Sequence, residues 1–174
     1  LDAYGFTASE SILNEWNPGI AHRGTVRDAA AILSMMCALQ ASPVDMLMYY
    51  DGQVHTSYGG MFDPLRFKPF PAYYVFKAFN TLYRLQGEAA SSSDDPDLYT
   101  CAAASEDGQA WLLVNNSDMV KSVQLDIKGG AQRYTCLLLD ETHALEHSGE
   151  LNLYTGTVQL PAYTTLLFTS AATC

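Results

Sequence analysis

Two rhythms of apolar residues run along this chain, and they change over near residue 90. In the first half, Ser11-Ile12-Leu13-Asn14 is a short apolar run behind polar loop residues and reads as a strand. Pro18 and Gly19 then break the chain. Thr25-Val26-Arg27-Asp28 has the spacing of a helix capping box, with an acid where Glu or Gln usually stands. Val26, Ala29, Ala30, Leu33 and Cys37 recur at helical spacing, so a helix is predicted to about Ala41, stopped by Pro43. Val44 to Tyr50 (VDMLMYY) is nearly continuous apolar sequence, as in a strand covered on both faces. A long loop, Asp51 to Phe70, leads to a second helix with Pro71 in its first turn. Phe76, Phe79 and Tyr83 form an aromatic stripe expected to pack between helix and sheet, and Gly87 is placed to cap the end.

The stretch from Glu88 to Asp97 is rich in Ser and Asp, with Pro96 near its end, and reads as a surface linker. Beyond it only strands are predicted: Leu98–Ala104, Ala110–Asn115, Ser122–Ile127, Arg133–Leu139, Thr157–Leu160 and Thr164–Thr169. Turn signals separate them, among them Asp107-Gly108, Asn116-Ser117-Asp118, Gly129-Gly130, Ser148-Gly149 and Pro161-Ala162. The expected fold is therefore α/β plus all-β. Residues 1–87 make two βα units with parallel strands, 88–97 a linker, and 98–174 an antiparallel β-sandwich. A closed (β/α)8 barrel takes roughly 250 residues, so the two parallel strands are expected to leave open apolar edges. Those edges could pair two copies of the chain into a homo-oligomer.

Composition narrows the function classes. With 48% apolar residues among 174, the chain can bury a real core, and no apolar run reaches the length of a membrane span. The net charge of −10 is unevenly spread: residues 1–87 carry seven acids and six bases, residues 88–174 twelve acids and three bases. That balance speaks against nucleic-acid and anionic-membrane partners, which need basic patches. The chain starts at Leu1 with neither an initiator Met nor a signal-peptide pattern, and reads as a cut edge. Cys37, Cys101, Cys136 and Cys174 show no zinc-ligand spacing. Cys37 reads as a core residue, and Cys101 and Cys136 can pair only if their strands are neighbours. Free thiols are the expectation, which points to a reducing, cytoplasmic compartment. His143 and His147 stand four apart, a metal-binding spacing on a helix, but they fall in an expected loop of the sandwich.

Chemistry is concentrated at Asn14-Glu15-Trp16-Asn17, directly after a predicted buried strand. In barrels of βα units, side chains at the C-terminal strand ends face the active site. A carboxylate there can attack an anomeric carbon, and an aromatic ring can stack on a sugar face. His22 and His55 fall in loops at the same end.

The stretch Leu1-Asp2-Ala3-Tyr4-Gly5-Phe6, followed by Ser11-Ile12-Leu13-Asn14-Glu15-Trp16-Asn17, resembles the strand-seven region of clan A glycoside hydrolases. The resemblance is greatest to the β-xylosidase and α-L-iduronidase family (family 39). VDMLMYYD, then Tyr58-Gly59-Gly60-Met61-Phe62, then Lys68-Pro69-Phe70-Pro71 through Phe79, are similar to the eighth strand and the last helix of such enzymes. The order of last helix, short linker and C-terminal sandwich extends the resemblance over nearly the whole chain. It implies a retaining mechanism with Glu15 as nucleophile. It also implies an oligo- or polysaccharide substrate held by Trp16, Asn17, Tyr49, Tyr50, Asp51 and His55, and no metal or organic cofactor. Tyr stands at Tyr49 and Tyr50 where many relatives have Trp. The acid/base Glu of the clan follows an Asn at the end of strand four, and nothing in this chain corresponds to it. Without a proton donor the leaving group loses about 10²–10⁴-fold in rate, so the chain alone is expected to be inactive. A rival reading is a non-catalytic carbohydrate-binding or structural sandwich, which a solvent-facing row among Trp111, Tyr134, Tyr154 and Tyr163 would favour. A third, an assembly domain, rests on the acidic surface alone.

Overall fold

The computed structural model describes residues 2–54, 58, 60–129, 133–151 and 155–170. The first strand, β1 (Ile12–Trp16), runs two residues beyond the apolar run and pairs in parallel with β2 (Met46–Tyr49). Their starts are fastened together: the Asp45 carboxylate accepts the Ser11 N–H at 2.7 Å, and the Asp45 N–H donates to the Ser11 carbonyl at 2.9 Å. Between them lies helix α1 (Val26–Gln40), capped by Thr25, whose hydroxyl oxygen accepts the Asp28 N–H at 3.3 Å. The second arm of a capping box is not made. The Thr25 N–H donates to the His22 carbonyl at 3.1 Å, and the Asp28 carboxyl takes the Gly24 N–H instead.

Helix α2 (Pro71–Leu85) corrects the expected stripe. Its buried seam is Ala72, Val75, Ala78, Leu82 and Leu85, with Phe76 and Phe79 packed at the side and Tyr83 68% exposed. Small residues on the seam let α2 lie close against α1 and the sheet, and the bulky rings are displaced to the flanks. The helix stops at Gln86, which takes the left-handed conformation (φ 56°) expected of Gly87. Gly87 has a different task. A Cβ built on it would collide with the Ala104 carbonyl oxygen, while its own carbonyl accepts the Ala104 N–H at 2.7 Å.

That contact opens the antiparallel half. The predicted linker begins as a strand, β3 (Glu88–Ala89), on the edge of β4 (Leu98–Ser105). Its far end is clamped: Lys121 Nζ lies 2.9 Å from both the Asp95 and Asp97 carboxylates. With β5 (Gly108–Asn115), β6 (Lys121–Asp126), β7 (Tyr134–Leu139), β8 (Ala144–Leu151), β9 (Thr155–Leu160) and β10 (Thr165–Thr169), the strands form two sheets. One is six-stranded in the order β3-β4-β5-β10-β7-β8, and the other is the pair β6-β9. Strand β8 replaces the loop expected around His143 and His147. Its alternation is hidden because it lies at an edge, Leu145 takes a positive φ (58°), and its pairing with β7 shifts register twice. Cys101 and Cys136 sit on β4 and β7, with β5 and β10 between them, so they are not neighbours.

The six-stranded sheet is buried on both faces. Leu112, Val114, Leu139 and Leu167 face α1 and α2 in one cluster that extends to Trp16. Leu113, Leu166 and Phe168 face Leu125 and Leu160 of the β6-β9 pair. The layers are thus strand pair, helix pair, large sheet, small sheet. The change of pattern near residue 90 marks a change of architecture, and the core runs straight through it.

Gly87→Ala is expected to lower the stability by about 1–3 kcal/mol, since the added methyl meets backbone that cannot swing aside. Urea unfolding of the two chains measures it, with Gly156→Ala as a control at a glycine of ordinary φ whose Cβ would meet open space.

Candidate active site

Glu15 owes its position to an irregularity in β1. Leu13 pairs with Leu47 and Trp16 with Tyr49, so Asn14 and Glu15 together stand opposite the single residue Met48. Paired residues of parallel strands share a face, and the extra residue reverses the alternation beyond it. Strict alternation from Leu13 would turn Glu15 toward the helices and Trp16 away from them. The bulge does the opposite: Trp16 is buried in the helix-side core and Glu15 is exposed.

The other strand end is joined to this one. The Tyr50 N–H donates to the Trp16 carbonyl at 2.9 Å, and the Asn17 side-chain amide donates to the Tyr50 carbonyl at 2.6 Å. Asn17 also accepts the Gly19 N–H at 2.7 Å, which turns the chain away from the strand. The Tyr50–Asp51 peptide is cis. Tyr50 is exposed and meets the Tyr58 ring edge-on at 5.6 Å. Ile12, Met46 and Met48 are exposed beside them, so the strand expected to be covered on both faces is covered on one. Nothing described lies over that surface.

Behind it is a packed support. Trp16 meets Tyr49 edge-on at 5.4 Å, and Tyr49 meets Phe76 at 5.1 Å. Trp16 and Tyr49, expected as sugar contacts, are therefore held on the helix side, beneath the surface that carries Glu15. Burial, reinforced by the nearby Asp28 and Asp51 carboxylates, pushes the Tyr49 hydroxyl well above the ordinary tyrosine range and keeps it protonated. Asp51 lies half-buried at the strand end, with Oδ1 lacking a hydrogen-bond partner among the described residues. His55 lies outside the described residues.

Asp28 is the residue that sequence patterning undervalued. Only 2% exposed, its carboxyl is pushed up to about 6 by burial, against the opposing pull of the Gly24 N–H and the Arg23 charge. The signal was present in Thr25-x-x-Asp28, where an acid on the first turn of a buried helix face must be desolvated. Arg23 is held in turn by Phe62, whose carbonyl accepts from Nη2 at 3.4 Å, and by the Phe70 ring at 5.4 Å. A cavity of ≈ 300 Å³ lies behind this corner, lined by Pro18, Gly19, His22, Arg27, Asp28 and Tyr163 among others, and Glu15 takes no part in it. Among the described residues no group of three or more His, Cys, Asp or Glu could hold a metal. His143 is occupied by Asp140, whose Oδ1 lies 2.9 Å from its Nδ1.

No protein-family model and no curated protein matches the sequence. Solved structures do match the fold. A family 30 endoxylanase from Clostridium papyrosolvens superposes with a TM-score of 0.73 at 15% identity, over 94% of this chain and 42% of that one. CelM2, a bifunctional glucanase-xylanase from a metagenome library, gives 0.74 at 13% identity, over 98% and 33%. A Paenibacillus polymyxa xyloglucanase of family 44 gives 0.70 at 11%, over 97% and 33%. The chain spans less than half the length of each. The fold is that of a part of these glycoside hydrolases, and the families named are 30 and 44, not the 39 that the motifs resemble.

The raised Asp28 pKa has a definite sign. The folded chain holds this proton more tightly than the unfolded one, so the contribution is full below about pH 4 and is lost as pH rises through 6. Asp28→Asn removes the penalty of the buried charge. Its stability relative to the parent chain is expected to rise by about 2–3 kcal/mol between pH 4 and pH 8, read by urea unfolding across that range.

Proposed function

We propose that this chain is the last two βα units of a (β/α)8 barrel with its C-terminal sandwich, from a retaining glycoside hydrolase of clan A, and that Glu15 is the nucleophile. The observation that carries the reading is the bulge in β1. It presents a carboxylate at the C-terminal end of a parallel strand, beside Tyr50 and Asn17, on the face the helices leave open. In this reading Glu15 attacks the anomeric carbon, and a second carboxyl roughly 5–5.5 Å away protonates the departing oxygen. That acid belongs to an earlier strand of the barrel, which also covers Ile12, Met46 and Met48. Tyr50 offers an exposed ring to a sugar face, and Asn17 and Asp51 offer polar groups to its hydroxyls. Trp16 and Tyr49 act from beneath, by fixing the strand ends.

The motif resemblance favours a β-xylosidase-like enzyme of family 39, whereas the fold likeness is to xylanases, glucanases and a xyloglucanase of other families. What the two share is hydrolysis of an O-glycosidic bond in an oligo- or polysaccharide. The rival reading of a carbohydrate-binding sandwich has less support. Trp111 stacks on Phe168 at 3.8 Å, Tyr134 is 2% exposed, and Arg27 lies over the Tyr163 ring at 5.3 Å. Tyr154 lies outside the described residues.

A fluorinated glycoside that traps glycosyl-enzyme intermediates is expected to label Glu15 in a longer protein containing this sequence, and to leave Glu15→Gln unlabelled at the same melting temperature. Peptide mass mapping reads the site. Labelling of any other carboxylate, or equal labelling of Glu15→Gln, would rule out this assignment. The chain by itself is expected to turn over no aryl glycoside.

A further inference from the structure

Pro18 interrupts the ladder between the two parallel strands at the point where the candidate site begins. In a regular parallel pair, the N–H and C=O of one residue bond to two residues that stand two apart on the partner strand. The Tyr50 N–H donates to the Trp16 carbonyl at 2.9 Å, so the next donor due to the Tyr50 carbonyl is the N–H of residue 18. That residue is proline and has no N–H to give. The Asn17 side-chain amide fills the gap, with Nδ2 2.6 Å from the Tyr50 oxygen. Its own oxygen accepts the Gly19 N–H at 2.7 Å, so the short side chain is fixed from two directions. The Asp45 carboxylate fastens the strand starts in a similar way, through the Ser11 N–H. At the other end, both backbone groups of Tyr50 are held by residues next to Glu15.

We propose that Asn17 is a positioning residue for the glycosidase reaction, standing in for the N–H that Pro18 lacks and so fixing Tyr50 and Asp51 relative to Glu15. This role presupposes that Glu15 is the nucleophile. The two strands form a sheet of their own, so no further described strand steadies the end of β2. Asp51 is half-buried and its Oδ1 has no hydrogen-bond partner among the described residues. Its place therefore depends on the backbone just before it, which the Asn17 amide holds. Without that donor, β2 is tied as far as the Tyr50 N–H and can swing beyond it. A sugar seated on the Tyr50 ring would then drift against the attacking carboxylate, and a misplacement of about 1 Å costs on the order of 10²-fold in rate. One N–H of the Asn17 amide remains for a sugar hydroxyl, but a direct contact and a positioning role differ in what restores them. A backbone N–H returned to residue 18 can hold the Tyr50 carbonyl in place of the amide, and it offers the sugar nothing.

Trapping of a fluorinated glycoside at Glu15, followed in time in a longer protein containing this sequence, gives a rate at saturation and a half-saturating concentration. Asn17→Ala is expected to lower the saturating rate about 10–100-fold and to leave the half-saturating concentration nearly unchanged. Pro18→Ala alone should trap at the parental rate. The double variant Asn17→Ala/Pro18→Ala should recover most of the loss. Asn17→Asp keeps the acceptor for Gly19 and loses the donor for Tyr50, and it takes the place of Asn17→Ala in both measurements should that variant fold poorly. A parental rate in the Asn17 variant would overturn the proposal. So would a loss that Pro18→Ala does not correct, which is the mark of a sugar contact or of general damage. Absence of label at Glu15 in the parent protein sinks the nucleophile reading and this role together, whereas label at Glu15 without the expected effects at positions 17 and 18 sinks this role alone.

Discussion

Ala29, Ala30, Ala72 and Ala78 have almost no exposed surface, and their small side chains bring the two helices close to each other and to the large sheet. Ile32, Leu33 and Val75 fill the space over Leu112, Val114 and Leu167. This helix–sheet contact is the constraint on which the other layers depend. It is non-directional and set by area removed from water, so it holds the helices without prescribing what lies on their far side. The parallel strand pair rests there through Trp16, Leu47 and Tyr49, and the bearing of the candidate nucleophile is inherited from that seat.

Most of the elements could be read from spacing, because burial on one side of a helix or strand leaves a period in the sequence. Both helices and the central antiparallel strands were legible for that reason, and the two parallel strands as short apolar runs. Strand β8 was not: its sequence Ala144-Leu145-Glu146-His147-Ser148-Gly149-Glu150-Leu151 carries few apolar residues and its register slips twice. Strand β3 is only two residues long and is made by the fit of Gly87 to Ala104, a contact that no local pattern announces. The aromatic stripe on α2 misled for a physical reason. Ring size suggests burial, but the tight layer admits alanine and valine and leaves Tyr83 in solvent.

The place of the candidate site along the chain was legible, and its arrangement was not. Glu15 at a strand end, with Asn17 and Tyr50 close by, follows from the order of residues. Which side chains face outward does not, because a single inserted residue in β1 exchanges the faces of Glu15 and Trp16. A reader of the sequence counts alternate residues and places the indole in the cleft. The backbone pairing places it underneath. The burial of Asp28 depends likewise on which helix face turns inward.

The surface beside Glu15 carries Met46 and Met48, unbranched thioethers with several soft torsions. Side chains of that sort remould around whatever is laid on them and impose little steric selection. Alignment of any strand laid beside β1 would therefore fall to the backbone amides and carbonyls along the edge that no described strand covers, which accept only certain offsets. A seam built this way tolerates drift in the residues on either side while keeping its ladder fixed, so sequence likeness across it can fade long before the geometry does.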